Sequence, residues 1–179
     1  MREPALVAEA VSRLRADVTG SGAADADAVV EAIYENLEAK QAVLSQLEQT
    51  MKPNALLSSN TSSIPLEEIA SALQAPERLV GLHFFNPVAK MPLIEVIRFN
   101  GSDNSAAMHA VGFARQLGKL PLLCQSSPGF LVNRVLGPYL DEAMRLHNEG
   151  VMPEIIDRAA RNFGMPMGPI ELADSVGLD

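Results

Sequence analysis

Short apolar runs alternate with segments of helical apolar spacing along the first part of the chain. The apolar runs predict strands, because they are brief and are bounded by glycine, proline or polar residues. These strands lie at residues 27–33, 55–59, 78–85, 93–99 and 120–124. Helices are predicted at residues 4–15, 35–51, 65–73 and 104–117. The alternation predicts a parallel α/β sheet, whose ligands bind at the carboxyl ends of the strands.

The last part of the chain has a purely helical pattern. Helices are predicted at residues 130–148, 153–162 and 169–176. We place the boundary at residues 126–129, so that residues 1–125 form a sheet domain and residues 126–179 begin a helical domain. The helix at residues 130–148 is apolar over much of its circumference, so it is predicted to need a partner helix outside the chain. Because the chain ends without a natural stop, we expect that it is cut there.

A phosphate-binding loop is the element that a nucleotide-binding sheet needs before its first helix. Its Gly-x-Gly-x-x-Gly pattern is approached only at residues 20–25, where Asp25 replaces the third glycine. The aspartate would repel phosphate, and no apolar strand precedes it. We therefore interpret residues 20–25 as a flexible linker. We expect a doubly wound sheet that lacks its first strand and its phosphate loop, in a chain that is also cut at its start.

Composition excludes several function classes. The chain has 14 basic and 22 acidic residues, which argues against a nucleic-acid partner, and its 47% hydrophobic content argues against disorder. No window approaches the roughly 18 apolar residues of a membrane span. No histidine pair, cysteine pair or aspartate-rich loop indicates a metal. The single cysteine, Cys124, lies in an apolar run, which indicates a structural thiol and a protein of the reducing cytoplasm.

One of the three histidines lies where chemistry is expected. His83 ends an apolar strand, and the Asn86-Pro87 pair turns the chain directly after it. His109 and His147 belong to helices and are interpreted as surface residues. Glu95 lies inside the next apolar strand, where a carboxylate is costly unless it has a partner. If the two strands pair, Glu95 can reach the imidazole; alternatively, His83 is a structural residue that caps a strand.

Further polar residues lie near the predicted ends of other elements. The hydroxyl-rich segment at residues 58–63 follows a strand, and Asn133 lies in the first turn of a helix. Glu35 and Lys40 lie at the start of another helix. Each has a simpler interpretation. The hydroxyl of Ser63 or Thr61 caps the next helix, and the amide of Asn133 contacts solvent. Glu35 and Lys40 are then ordinary helix charges.

Three segments carry a resemblance to a known family. They are the run GLHFFNP at residues 81–87, Glu95, and the run SPGFLVNR at residues 127–134. Together they resemble the L-3-hydroxyacyl-CoA dehydrogenase family, and the likeness extends from about Asp25 to the last residue. The resemblance implies a partial Rossmann-like domain followed by the first helices of a helical domain. It also implies an enzyme of fatty-acid β-oxidation that takes an acyl-CoA substrate and NAD.

The resemblance also implies roles for particular residues. His83 removes the proton from the C3 hydroxyl of the substrate, with Glu95 as its partner, while C3 gives hydride to NAD. The other implied contacts are to the substrate oxygen and to the nicotinamide side of the cofactor. They are assigned to Ser62 and Asn133 for the substrate, and to Glu35, Lys40, Ser62 and Asn86 for the cofactor.

Several alternatives stay open at this point. The parent protein is either a multifunctional β-oxidation enzyme or a stand-alone 3-hydroxybutyryl-CoA dehydrogenase. The piece itself is expected to be inactive without the phosphate loop, and to associate as a homodimer or through its helical domain. In the non-catalytic alternative, the chain is a truncated dehydrogenase fragment that serves as an oligomerisation or assembly module.

Overall fold

The computed structural model describes residues 4–176. Within this range the chain forms five strands, which are β1 (Ala28–Glu31), β2 (Leu56–Ser59), β3 (Leu79–Phe84), β4 (Leu93–Arg98) and β5 (Leu120–Gln125). The seven helices of the same range are α1 (Pro4–Ser12), α2 (Leu37–Thr50), α3 (Leu66–Ala70), α4 (Asn104–Gln116), α5 (Val132–Asn148), α6 (Pro153–Phe163) and α7 (Pro169–Val176). Every predicted element is present, with ends that differ by a few residues. The end of the chain at residues 177–179 lies outside the described residues.

The strands form one sheet in the order β1-β2-β3-β4-β5. The prediction of parallel strands holds for the first two pairings and for β4 with β5, but it is wrong for β3 with β4, which run antiparallel. The reason lies in the connection. Residues 85–92 join β3 to β4 without a helix, whereas a parallel neighbour needs a crossover of about a dozen residues or more.

Helices cover both faces of the sheet, which confirms the doubly wound α/β architecture. On one face, α2 and α3 pack against the sheet through a buried cluster that includes Leu44, Ile69 and Leu57. On the other face, small side chains of α4 such as Ala110 lie against Val96 and its neighbours. Successive side chains of a strand point to opposite faces, so both faces of these strands must be apolar.

The segment at residues 20–25 is ordered, which corrects its interpretation as a flexible linker. Residues 21–24 form a 3-10 turn, and the carboxylate of Asp17 accepts a 2.6 Å hydrogen bond from the amide of Gly22. This bond and that from the Thr19 hydroxyl lower the pKa of Asp17 to about 2. Ala23 is buried. The turn is thus held by a local cap.

Helices α5, α6 and α7 form a small packed unit after the sheet. Asp157 of α6 is buried and accepts hydrogen bonds from the amides of Ile170 and Glu171, at the start of α7. Some large apolar side chains of this unit are exposed, among them Val135 at 70% and Phe163 at 89%. A cleft of about 380 Å³ lies between these helices. None of the helices in residues 4–176 has the length and apolarity that crossing a membrane requires.

Candidate active site

His83 and Glu95 face each other across the antiparallel pair β3–β4. They are direct partners in the strand register, and the Nδ1 atom of His83 lies 2.7 Å from Oε2 of Glu95. The imidazole is 7% exposed and the carboxylate is fully buried. The structure therefore brings together the two residues that the sequence suggested as partners, at the carboxyl end of β3.

The second oxygen of Glu95 binds the start of α5. Its Oε1 accepts hydrogen bonds from the amides of Leu131 and Val132, at 2.9 and 2.8 Å. The amino-terminal end of a helix offers free amides and a positive dipole, so it stabilises a negative charge. With three donors, the buried carboxylate has partners for both oxygens. Glu95 thereby joins the sheet to the helical segment.

These contacts determine which nitrogen of His83 carries the proton. A carboxylate only accepts hydrogen bonds, so Nδ1 bears the hydrogen and Nε2 keeps its lone pair. The ring packs against Phe85 and Phe130, with centroid distances of 4.7 and 5.6 Å. Among the described residues, Nε2 has no hydrogen-bond partner. An imidazole supported by a carboxylate in this way can accept a proton from a bound hydroxyl.

Glu35 organises the hydroxyl-rich segment after β2. Its Oε1 accepts hydrogen bonds from the hydroxyl of Thr61 and from the amides of Ser62 and Ser63, the latter two at 3.0 and 3.1 Å. Partial burial opposes ionisation of Glu35, but these hydrogen bonds lower its pKa to about 2. The predicted substrate residue Ser62 is exposed beside this carboxylate. Glu35 and Ser62 therefore share one site.

Lys40 lies under that segment and is only 1% exposed. Its ammonium lies 3.2 Å from Glu35 and 2.8 Å from the buried carboxylate of Glu31, and it donates to the carbonyl of Ile33 at 3.2 Å. Sequence reasoning missed Glu31. The signal was available, because Glu31, like Glu95, is an acidic residue within an apolar run.

Three asparagines lie around the same edge of the sheet. Asn60 accepts a 3.0 Å hydrogen bond from the amide of Phe84, the residue after His83. Asn86 is exposed just beyond β3, and Asn133 is exposed on the first turn of α5. Asn133 directly follows Val132, whose amide Glu95 binds. The substrate and cofactor residues suggested by sequence thus lie at strand ends and at one helix start.

Thr61 and Ser63 are the hydroxyls suggested by sequence as the cap of α3, and among the described hydrogen bonds neither accepts from an amide of that helix. Thr61 accepts a 3.0 Å hydrogen bond from the amide of Ile64, so it caps the turn before α3. The amide of Leu66, the first residue of α3, donates instead to the hydroxyl of Ser126 at 3.0 Å. The first amide of α3 is thus bound from outside the hydroxyl-rich segment.

Cys124 takes no part in this chemistry. Burial raises the pKa of its thiol to about 12, and the negative charge of Glu95 adds to the effect. A thiol is a nucleophile only as the thiolate. The value agrees with the interpretation of Cys124 as a structural residue.

The site fits the nicotinamide side of a dinucleotide. Such cofactors bind outside the carboxyl ends of the strands of an open α/β sheet, where Glu35, Ser62 and Asn86 lie. These 179 residues contain no Gly-x-Gly-x-x-Gly run for the phosphate side of the cofactor. A histidine–carboxylate pair at this edge, with its second ring nitrogen available, has the chemistry to accept a proton from a hydroxyl group.

Comparison with known proteins identifies the family. The model for "3-hydroxyacyl-CoA dehydrogenase, NAD binding domain" matches residues 2–127, and that for "3-hydroxyacyl-CoA dehydrogenase, C-terminal domain" matches residues 129–179. The chain belongs to the 3-hydroxyacyl-CoA dehydrogenase family. The first of these matches supports NAD as the cofactor.

Similar proteins include enzymes of fatty-acid metabolism. A fatty acid oxidation complex subunit alpha of Pseudomonas putida is 47% identical over 176 residues, which are 98% of this chain and 25% of that protein. The chain thus spans a quarter of the length of this curated relative. The crystal structure of M. tuberculosis FadB2 superimposes with a TM-score of 0.93 at 37% identity, covering 98% of this chain and 63% of that one. (S)-3-hydroxybutyryl-CoA dehydrogenase PaaH1 from Ralstonia eutropha gives 0.91 at 36%, with coverages of 98% and 62%.

We predict that Glu95→Gln reverses the tautomer of His83. The amides of Leu131 and Val132 need an acceptor, so they hold the amide oxygen of the new side chain, and its NH2 group then faces Nδ1. Nδ1 must accept, and the hydrogen moves to Nε2. Nitrogen-15 NMR of the imidazole measures this, with His109 and His147 as internal references. An unchanged tautomer would contradict the assigned hydrogen-bond directions.

We also predict an acid-dependent contribution of Glu35 to stability. Its pKa falls from 4.5 to about 2 on folding, so the contribution is complete above pH 4.5 and is lost as the pH falls towards 2. The difference in unfolding free energy between the wild type and Glu35→Gln should therefore shrink over this interval. Urea denaturation at a series of pH values measures it, and taking the difference cancels the similar titration of Asp17. A constant difference would refute the prediction.

Proposed function

We propose that this chain is the catalytic core of an enzyme that oxidises (S)-3-hydroxyacyl-CoA to 3-oxoacyl-CoA with NAD, in fatty-acid β-oxidation. The observation that carries the proposal is the His83–Glu95 pair, whose free Nε2 lies at the carboxyl end of β3. Residues 1–125 act as the later part of the cofactor domain, and residues 126–179 as the first helices of the substrate domain.

In the proposed reaction, His83 is the general base. Its Nε2 takes the proton of the C3 hydroxyl, and the carboxylate of Glu95 stabilises the imidazolium that forms. NAD, when bound, accepts the hydride that leaves C3. The C3–O bond thereby becomes a carbonyl, and in the reverse direction the imidazolium returns the proton. Phe85 and Phe130 limit the access of water to the ring.

The remaining residues orient the reactants in this proposal. The hydroxyl of Ser62 and the amide of Asn133 donate to the substrate oxygen, where negative charge develops as the carbonyl forms or is reduced. Glu35, Lys40 and Asn86 act on the nicotinamide side of the cofactor. The support for Asn133 is its position next to the amides that Glu95 binds, since one carboxylate then fixes both the base and the start of α5.

The proposal includes a cellular context. The chain acts within a longer, multifunctional protein of the cytoplasm, and alone it is inactive because its sequence supplies no phosphate loop. Its helical segment associates with a second copy to form a homodimer. The support for association is the exposure of large apolar side chains of the helical segment, such as Val135 and Phe163.

Replacement of His83 tests the general-base role. We expect His83→Gln to lower turnover by about 10²–10⁴-fold, the contribution of a positioned base, with nearly unchanged affinity for NAD. The assay uses a chimera in which this chain replaces the matched 176 residues of the Pseudomonas putida relative. His109→Gln, on the exposed surface of α4, is the control and should keep the parent rate. A His83→Gln enzyme that retains about a tenth of the rate would exclude the role.

The same exposed apolar side chains favour a second candidate, a non-catalytic assembly module. Calorimetry with NADH distinguishes the two, because only the enzyme requires a cofactor. We expect the chimera to bind NADH and the isolated chain not to bind it. Absence of binding by both proteins, together with a stable oligomer of the isolated chain, would favour the module.

A further inference from the structure

Glu31 is a buried acid that the proposed reaction leaves unused. It ends β1 and is 3% exposed. Its carboxylate accepts hydrogen bonds from the Lys40 ammonium at 2.8 Å, the Ser59 hydroxyl at 2.6 Å and the amide of Ile33 at 2.7 Å. Its backbone carbonyl accepts a fourth, from the amide of Asn60 at 2.7 Å. Glu31 thus binds both the segment that follows β1, at Ile33, and the segment that follows β2, at Asn60.

Two routes lead from Glu31 to the reacting groups. Through Lys40 it reaches Glu35, which in turn binds the amides of Ser62 and Ser63. Through Asn60 it reaches the amide of Phe84, next to the general base His83. The cofactor side and the proton-transfer side therefore both connect to Glu31, the first through its carboxylate and the second through its backbone carbonyl.

We propose that Glu31 is a positioning residue of the dehydrogenase site. It touches neither substrate nor cofactor; it holds Lys40 so that Glu35 keeps the segment at residues 61–63 in its working position. The inference rests on the proposed function, because it assigns that segment to the cofactor and substrate. This role explains why the buried ion pair of Glu31 and Lys40 lies at the edge of the sheet, where ligands bind, and not in the apolar centre.

The chemistry of the pair supports this role over simple stabilisation. Two buried ions of opposite charge contribute little net stability compared with apolar residues of the same size, because both lose their hydration. What such a pair provides is a defined position for each group. Here the Lys40 ammonium donates to Glu31 and to the carbonyl of Ile33, and it forms an ion pair with Glu35 at 3.2 Å.

Amide hydrogen exchange in the 179-residue chain tests the proposal. In Glu31→Gln we expect the amides of Ser62 and Ser63 to exchange roughly tenfold faster, the effect of weakening a charge-assisted hydrogen bond, while the β4–β5 amides keep their rates. The control is Asp27→Asn. It removes an exposed carboxylate that pairs with Lys52 at 2.8 Å near the start of the same strand, and it should change neither group of amides.

Two outcomes of this measurement would overturn the proposal. Unchanged exchange at Ser62 and Ser63 would show that the segment does not depend on Glu31. An equal rise throughout the sheet would show a purely structural role. If Glu31→Gln does not fold, the double variant with Glu31→Gln and Lys40→Met is used instead. It removes both charges of the buried ion pair, so neither is left without its partner. It should still loosen the segment, and wild-type rates in it would overturn the proposal.

A binding measurement separates this inference from the function on which it rests. In the Pseudomonas putida chimera, Glu31→Gln should weaken NADH binding about tenfold, and Asp27→Asn should not. Full NADH affinity in a variant with a loosened segment would refute the positioning role. If the chimera without substitutions binds no NADH, the proposed function fails, and the exchange rates alone decide whether Glu31 positions the segment.

Discussion

The buried carboxylate of Glu95 is the constraint on which the site depends. It lies within β4 without contact to water, and its three donors come from His83 and from two amides at the start of α5. Removing one partner of a buried charge typically costs about 3–5 kcal/mol. The strand register, the tautomer of the histidine and the position of the helix must therefore all agree with this single group.

On the cofactor side of the site, a second buried carboxylate, that of Glu31, also holds neighbouring chain segments in place. The apolar faces of the sheet supply the packing, and the buried carboxylate of Glu31 lies where β1 ends and the chain turns into a loop. There, Glu31 and Lys40 support the segment that carries Ser62. Packing thus provides most of the stability, while the few paired charges hold the polar side chains that meet the ligands.

Sequence patterns were sufficient to predict the strands and helices and the pairing of His83 with Glu95. They were not sufficient to predict the strand direction or the other groups around this pair. An acid inside an apolar strand predicted the partner of His83, and the same rule would have identified Glu31. The direction of β4 was mispredicted, because apolar runs look alike in parallel and antiparallel strands. The partners of Glu95 on α5 are backbone amides, which leave no trace in side-chain identity. Lys40 looked like an ordinary helix charge, since its burial depends on a loop folded above it.

The antiparallel pairing of β3 and β4 has an evolutionary consequence. Opposed residues in such a pair are aligned by the ladder, and the buried apolar faces of both strands help to fix the register that brings His83 to Glu95. The part of the connection that follows Asn86 can gain or lose residues at a small entropic cost, since that cost grows slowly with loop length. Descendants of this fold can remodel the rim of the cleft while the proton-transfer pair stays intact.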